Sequence, residues 1–192
     1  MIDRNDNGIE RDAALALLRR YIKNENTIRH CLATEAVMMG LARHLGEDEL
    51  VWGMTGLLHD LDLELVDGDM YKHGLKTKEI LDEIGVNSYI TTAISMHNED
   101  AAKKKRTEPF HIALAAGETI TGLITATTLV YPDKKIRSVK AKSIVKRMKE
   151  KHFAASVNRD IIRECEKIDI PLNEFARLCL ESMCLIDSEL GL

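Results

Sequence analysis

The stretch FHIALAAGETITGLITATTLV, residues 110–130, is apolar on nearly every side of the helix its pattern specifies. A helix without a polar face must be surrounded by protein, so this segment lies centrally and the other elements pack around it. Pro132 ends it. Helical spacing recurs through most of the remaining chain. Ile9, Ala13, Leu15, Leu18 and Ile22 mark one helix over residues 9–22. Asn26 is expected to cap a second, which runs to about Leu45 and stops at Gly46. Over residues 47–61 the positions Leu50, Met54, Leu57, Leu58 and Leu61 form one apolar stripe.

A loop follows in LDLELVDGDMYKHG, punctuated by Gly68 and Gly74, and then a helix from about Leu75 to Ile84 that ends at Gly85. Asn87 caps a further helix through Ile90, Ala93, Ile94 and His97, while NEDAAKKKRTEP reads as an exposed loop closed by Pro109. Helices at 137–150, 156–168 and 172–188 complete the chain. With 45% hydrophobic residues and few prolines and aromatics, the chain builds a real core and disfavours an all-β fold. The expectation is one all-α domain spanning 1–192, with a core over about 20–130 and C-terminal helices over about 137–188 packed as an extension.

No apolar run approaches the roughly 18 to 20 residues of a membrane helix. The N-terminus, MIDRNDNGIERD, is polar from the start and carries no secretory signal. Cys31, Cys165, Cys179 and Cys184 have no CxxC spacing and sit in apolar patterns, as reduced cysteines of a cytoplasmic protein would. A net charge of −4 argues against a general nucleic-acid binder.

The chemistry concentrates at Leu57-Leu58-His59-Asp60-Leu61-Asp62. Here a helix apolar on its inward side ends in an adjacent imidazole and carboxylate. Neighbouring helical residues point about 100° apart, so both reach one ion only if it sits just beyond the helix end. A carboxylate has two oxygens and can bridge two cations. Burying Asp60 beside the stripe is costly without a cation or donor partner. Candidate ligands on other helices are His30 in TIRHCLATEAVM, His73 in YKHG and His97 at the end of YITTAISMH. Glu118 interrupts the most apolar helix and demands a charge partner of its own.

This pattern resembles the HD-domain superfamily of metal-dependent phosphohydrolases, whose signature is a His, an adjacent His-Asp pair and a distant Asp, all on helices. His30, His59-Asp60 and Glu118 would carry it. YKHG and SMHNE resemble the subset with a dinuclear site, where His73 and His97 hold a second ion. The tail, with FAASVNRDIIRECEK, resembles that of bacterial HDIG-type hydrolases. The departure is Glu118, where the family pattern has Asp; its extra methylene adds roughly 1.5 Å of reach. The resemblance implies His30, His59, Asp60 and Glu118 around one ion and Asp60, His73 and His97 around another. Such nitrogen and oxygen donors suit one or two ions of Fe, Mn, Zn, Ni or Co. A metal-activated hydroxide would attack a small phosphate ester or nucleotide, with Asp60 at the catalytic centre.

Two other classes compete. The six-residue set also resembles the diiron site of HD-fold oxygenases, which implies two irons and oxygen-dependent chemistry. A non-catalytic ligand-binding or interaction module is favoured by Glu118.

The remaining polar features have ordinary readings beside the functional ones. Asp62 and Glu64 are near enough to orient a water or a ligand. His44 complements a helix C-terminus, and His111 and His152 are structural. Lys103 to Arg106 form a solvated loop or steer an anionic substrate. Nine Lys or Arg between Lys134 and Lys151, against one acid, form a solvated face without the aromatics of a base-stacking surface. Arg159 is a weaker candidate for a phosphate contact, and Phe175, Leu178, Leu180, Met183 and Leu185 offer a homodimer face.

Overall fold

The computed structural model describes residues 7–192; the first six residues, part of the stretch read as lacking a secretory signal, lie outside the described residues. The elements are α1 (Arg11–Tyr21), α2 (Glu25–Leu45), α3 (Glu49–Leu58), α4 (Leu75–Glu83), α5 (Ser88–His97), α6 (Glu99–Ala102), α7 (Pro109–Leu129), α8 (Ala141–Arg147), α9 (Arg159–Arg163), α10 (Leu172–Cys184) and α11 (Asp187–Leu190). Two 3-10 turns, Ile136–Ser138 and Glu164–Ile168, join the later helices. The fold is all-α, with no strand among the described residues.

The centre is the pair α2 and α7, each 21 residues long. α3 and α5 pack on one side of this pair and α10 on another. Gly117 lets α7 approach α2: a Cβ there would lie 3.2 Å from Val37 Cγ1. Trp52, Tyr89 and Phe110 stack where α3, α5 and α7 meet, with ring centroids 4.7 and 4.9 Å from Phe110. Ile162, Cys165, Phe175, Cys179 and Met183 belong to the same hydrophobic core as α2 and α7. The C-terminal helices therefore share one interior with the rest of the chain.

α7 corrects one expectation. By length and composition it is long enough and apolar enough to cross a membrane, yet 67% of its most apolar window is buried inside the fold. It is apolar all round because protein encloses it, the same reason that placed it centrally.

Helix ends follow local chemistry. Asn24, rather than Asn26, caps α2: its side chain accepts from the Asn26 amide. Asn87 caps α5 and Gly46 ends α2 in a left-handed conformation, both as expected. The apolar stripe of α3 is narrower than its pattern suggests, since Leu50 is 69% exposed while Met54, Leu57, Leu58 and Leu61 are buried. In α1 the buried positions are Ala14 and Leu18, with Ala13 facing solvent. The supposed loop after His97 contains α6. Of the residues offered as a dimer face, Phe175, Leu180 and Met183 are buried in the chain's own core and Leu185 is 73% exposed.

The α2–α3 contact is the tightest that bears on the site. A Cβ on Gly56 would lie 2.6 Å from the Thr34 carbonyl oxygen and 2.9 Å from the Glu35 amide nitrogen. Both are backbone atoms, so neither can swing away. Gly56→Ala is expected to force the helices apart and cost about 2–4 kcal/mol in urea unfolding, the range of severe overpacking. A loss below about 0.5 kcal/mol, the scale of a neutral surface change, would contradict this packing.

Candidate metal centre

Two of the candidate ligands are placed by the ends of their own helices. The last four carbonyls of a helix have no intrahelical partner. His59 follows α3 directly, and its Nδ1–H donates to the Gly56 carbonyl at 2.8 Å, three residues back. His97 closes α5 in the same way, donating from Nδ1 to the Ile94 carbonyl at 2.5 Å. A carbonyl only accepts, so each Nδ1 carries the proton and each Nε2 is left with its lone pair facing inward.

The other two imidazoles are held by side chains. His73 Nδ1 donates to Asp62 Oδ1 at 2.8 Å. Thr121 Oγ1 donates to the Glu118 carbonyl at 2.7 Å and so accepts from His30 Nδ1 at 2.9 Å. All four Nε2 atoms consequently point into one space. His30 and His59 meet there Nε2 to Nε2 at 3.2 Å, and His73 and His97 at 3.0 Å.

Asp60 lies between the two pairs. Its Oδ1 is 3.3 Å from the Nε2 atoms of both His59 and His73 and 3.9 Å from that of His97, while Oδ2 is 3.6 Å from His30. Two groups that could hold a metal result, His30 with His59 and Asp60, and Asp60 with His73 and His97. Asp60 is common to both. Glu118 stands at the edge of the first group, with Oε2 3.8 Å from His30 Nε2. Among the described residues no lysine or arginine pairs with it.

The electrostatics describe a space prepared for positive charge. Burial lowers His30, and it lowers His59 to about 4 and His97 to about 3, so these rings are neutral at pH 7. Burial also opposes the charge on His73, but its hydrogen bonds to Asp60 and Asp62 prevail and raise it to about 10. Burial likewise opposes ionisation of Asp60, yet the surrounding imidazoles hold its carboxylate below the usual range. Glu118 is pushed up to about 8, chiefly by burial and further by the charge of Asp60. Two neutral imidazole lone pairs 3.2 Å apart repel unless a cation lies between them, and here a carboxylate oxygen faces the same point. The donor set fits a divalent ion of the kind imidazole and carboxylate bind.

Metal uptake at pH 7 is therefore expected to release about two protons, from His73 and Glu118, because ligands bind deprotonated. Calorimetry in buffers of different ionisation enthalpy reads that number. Glu118→Gln should remove about one of them; an unchanged count would place Glu118 outside the centre.

Several residues take roles here that the chain alone does not specify. Asp62 orients the ring of His73. It is fully buried and accepts from His73 Nδ1, from the Gly74 amide at 2.8 Å and from the Thr77 amide at 2.9 Å. Gly74 fits because φ is +83° and because a Cβ would lie 3.1 Å from His97 Cε1. Glu64 faces away and accepts from the Lys23 and Asn24 amides ahead of α2. Asn98 ties the preceding loop to α5 by donating to the Met70 and His73 carbonyls.

Arg106 is not a solvated steering group. It is buried and donates to Glu164 Oε2 at 2.6 Å and to the His97 carbonyl at 2.8 Å. Arg159 turns onto the Ala154 and Val157 carbonyls rather than toward a phosphate. In the basic segment Arg137 pairs with Asp187 and Arg147 with Glu150, while the lysines stay exposed or at the surface.

No curated protein and no solved structure matches the chain. A family model, HD domain, matches residues 27–170, most of the chain and all six candidate ligands. HD domains are mostly metal-dependent hydrolases that bind divalent metals. With helices bringing a histidine, a His-Asp pair and a distant carboxylate to one point, and with that match, the chain belongs to the HD domain family.

Proposed function

We propose that the protein is a metal-dependent phosphohydrolase acting on a small phosphate ester or nucleotide. The observation that carries this reading is the set of four inward Nε2 atoms arranged as two facing pairs around Asp60. His30, His59, Asp60 and Glu118 would hold one divalent ion and Asp60, His73 and His97 a second. Bound there, such ions supply Lewis-acid activation of water and of the phosphoryl group. The reaction adds water to phosphorus, breaks the P–O bond to the alcohol and leaves inorganic phosphate, the departing oxygen taking the proton.

The protein's own contribution is fixed geometry. Gly56, Ile94, Asp62 and Thr121 lock the rings through Nδ1, so little reorganisation remains on binding. The side chains of His59, His73 and His97 are nearly or fully enclosed, at 1%, 6% and 6% exposure, whereas those of His30 and Glu118 are 27% and 21% exposed. Substrate therefore enters on the side of His30 and Glu118.

The test is elemental analysis of tag-free protein purified without chelator, followed by phosphate release from a panel of phosphomonoesters and nucleotides. About two divalent transition-metal ions per chain, with phosphate release lost on chelation and restored by metal, is the expected result. No tight uptake of Mn, Fe, Co, Ni or Zn would overturn the reading in favour of a binding module. Two irons with oxygen-dependent substrate loss and no phosphate release would overturn it in favour of an oxygenase.

A further inference from the structure

A cleft of about 430 Å³ opens beside His30, on the side where the centre reaches solvent. It is of substrate size. A larger cavity, about 580 Å³ beside Arg11 and Glu35, touches none of the six candidate ligands. The cleft beside His30 runs between the first turns of α2 and the last turns of α7. From Thr121 at its inner end to Leu129 it follows one face of α7 for about 12 Å, at 1.5 Å rise per residue, and Leu190, Gly191 and Leu192 close its remaining side.

Its walls are not uniformly apolar. Ala33, Ala126 and Leu129 supply apolar surface, and Arg29, Asn26 and Thr125 supply donors. Arg29 is the residue before His30 and is exposed. Among the described residues no carboxylate pairs with it, and its single side-chain hydrogen bond is a 3.4 Å contact with Asn26 Oδ1. The other α7 threonines also set Thr125 apart. Thr119, Thr121, Thr127 and Thr128 each return the hydroxyl to a carbonyl of their own helix. Thr125 makes no such bond among the described residues, and it lines the cleft one turn beyond Thr121, which holds His30. A guanidinium with one long hydrogen bond and a hydroxyl with none thus line the same cleft as His30, Thr125 one helical turn beyond Thr121.

From this placement we infer that the cleft binds the alcohol portion of the substrate, and that this portion carries a second anionic group, phosphate or carboxylate, received by Arg29 and Thr125. The inference rests on the phosphohydrolase reading for the position of the scissile phosphate. A guanidinium that no side-chain carboxylate pairs, as at Arg29 among the described residues, binds a planar or tetrahedral oxyanion through two N–H groups at once. The apolar surface of the same cleft accommodates a short carbon skeleton. A phosphomonoester with a neutral alcohol would leave these donors to water.

The experiment uses non-hydrolysable probes, so that binding is read apart from turnover. 3-Phosphonopropionate and propylphosphonate differ in the second anion. Calorimetry on metal-loaded wild type is expected to show the first binding at least about tenfold tighter, on the scale of one charge-assisted contact. In Arg29→Gln that ratio should fall below about threefold, while the exposed Lys142→Gln should retain it. Equal affinity for both probes in wild type, no binding of either, or a ratio unchanged in Arg29→Gln would each overturn the inference. Preference for 3-phosphonopropionate without phosphate release from any ester would uphold the anion site and overturn the phosphohydrolase reading. Phosphate release without that preference would do the reverse.

Discussion

Asp60→Ala is expected to lower metal content from about two ions per chain to below one and to reduce phosphate release by about 10³-fold or more, at least the scale of losing a principal electrostatic group in an active site. The reason is the position of one side chain. Oδ1 faces His59, His73 and His97, and Oδ2 faces His30, so no other carboxylate is shared by the two groups. Its removal takes from both imidazole pairs the negative charge that would hold a cation between them. Asp60→Asn keeps one acceptor oxygen and the volume, and should retain a single weakly held ion. Metal content by elemental mass spectrometry and turnover on the same preparation check both variants. Two ions per chain with turnover intact in Asp60→Ala would sink the shared-ligand assignment.

Asp62→Ala is expected to weaken metal binding at the His73 and His97 group by about 10- to 100-fold, the usual cost of losing the partner that orients a ligand. It should also destabilise the metal-free protein by about 3–5 kcal/mol, since three buried donors, His73 Nδ1 and the Gly74 and Thr77 amides, lose their acceptor together. The pH dependence has a definite sign. The Asp62 carboxyl is held below its ordinary value of 3.8: burial works against the charge, and the hydrogen bond from His73 and the two amides outweigh it. Its contribution is therefore fully present above pH about 4 and is lost as the pH falls through the depressed value. The stability gap between wild type and Asp62→Ala should narrow in acid. Urea unfolding between pH 3 and 7 and competition with a metal chelator measure the two effects. A variant of wild-type stability that binds its second ion as tightly would show that Asp62 does not set the ring of His73.

The two predictions differ in what made them visible. Asp60 announces itself in the chain, because a carboxylate after the stripe Leu57-Leu58 and beside an imidazole has little reason to be there without a positive partner. Asp62 does not. Its position two residues later suits a surface turn equally well, and only the fold of the loop to Thr77 shows that it is buried beneath His73. Arg106 misleads for the same reason. In KKKR it reads as one more solvated cation, yet its partner Glu164 lies 58 residues away and the contact buries it behind His97. Leu50 errs in the opposite direction, apolar at a helical spacing but 69% exposed.

The sequence by itself determined the helical class, most helix ends, the central place of α7 and the six residues from which a metal centre could be assembled. These are local properties: periodicity states which side of a helix is apolar, and Gly46 and Asn87 act within one turn. Tertiary structure alone decided that His30 faces His59, that His73 faces His97, that Asp60 lies between the pairs, and that Arg29 and Thr125 share a cleft. Periodicity fixes a face but not the face it meets. Which charges are buried, paired or left free depends on contacts between residues far apart in the chain.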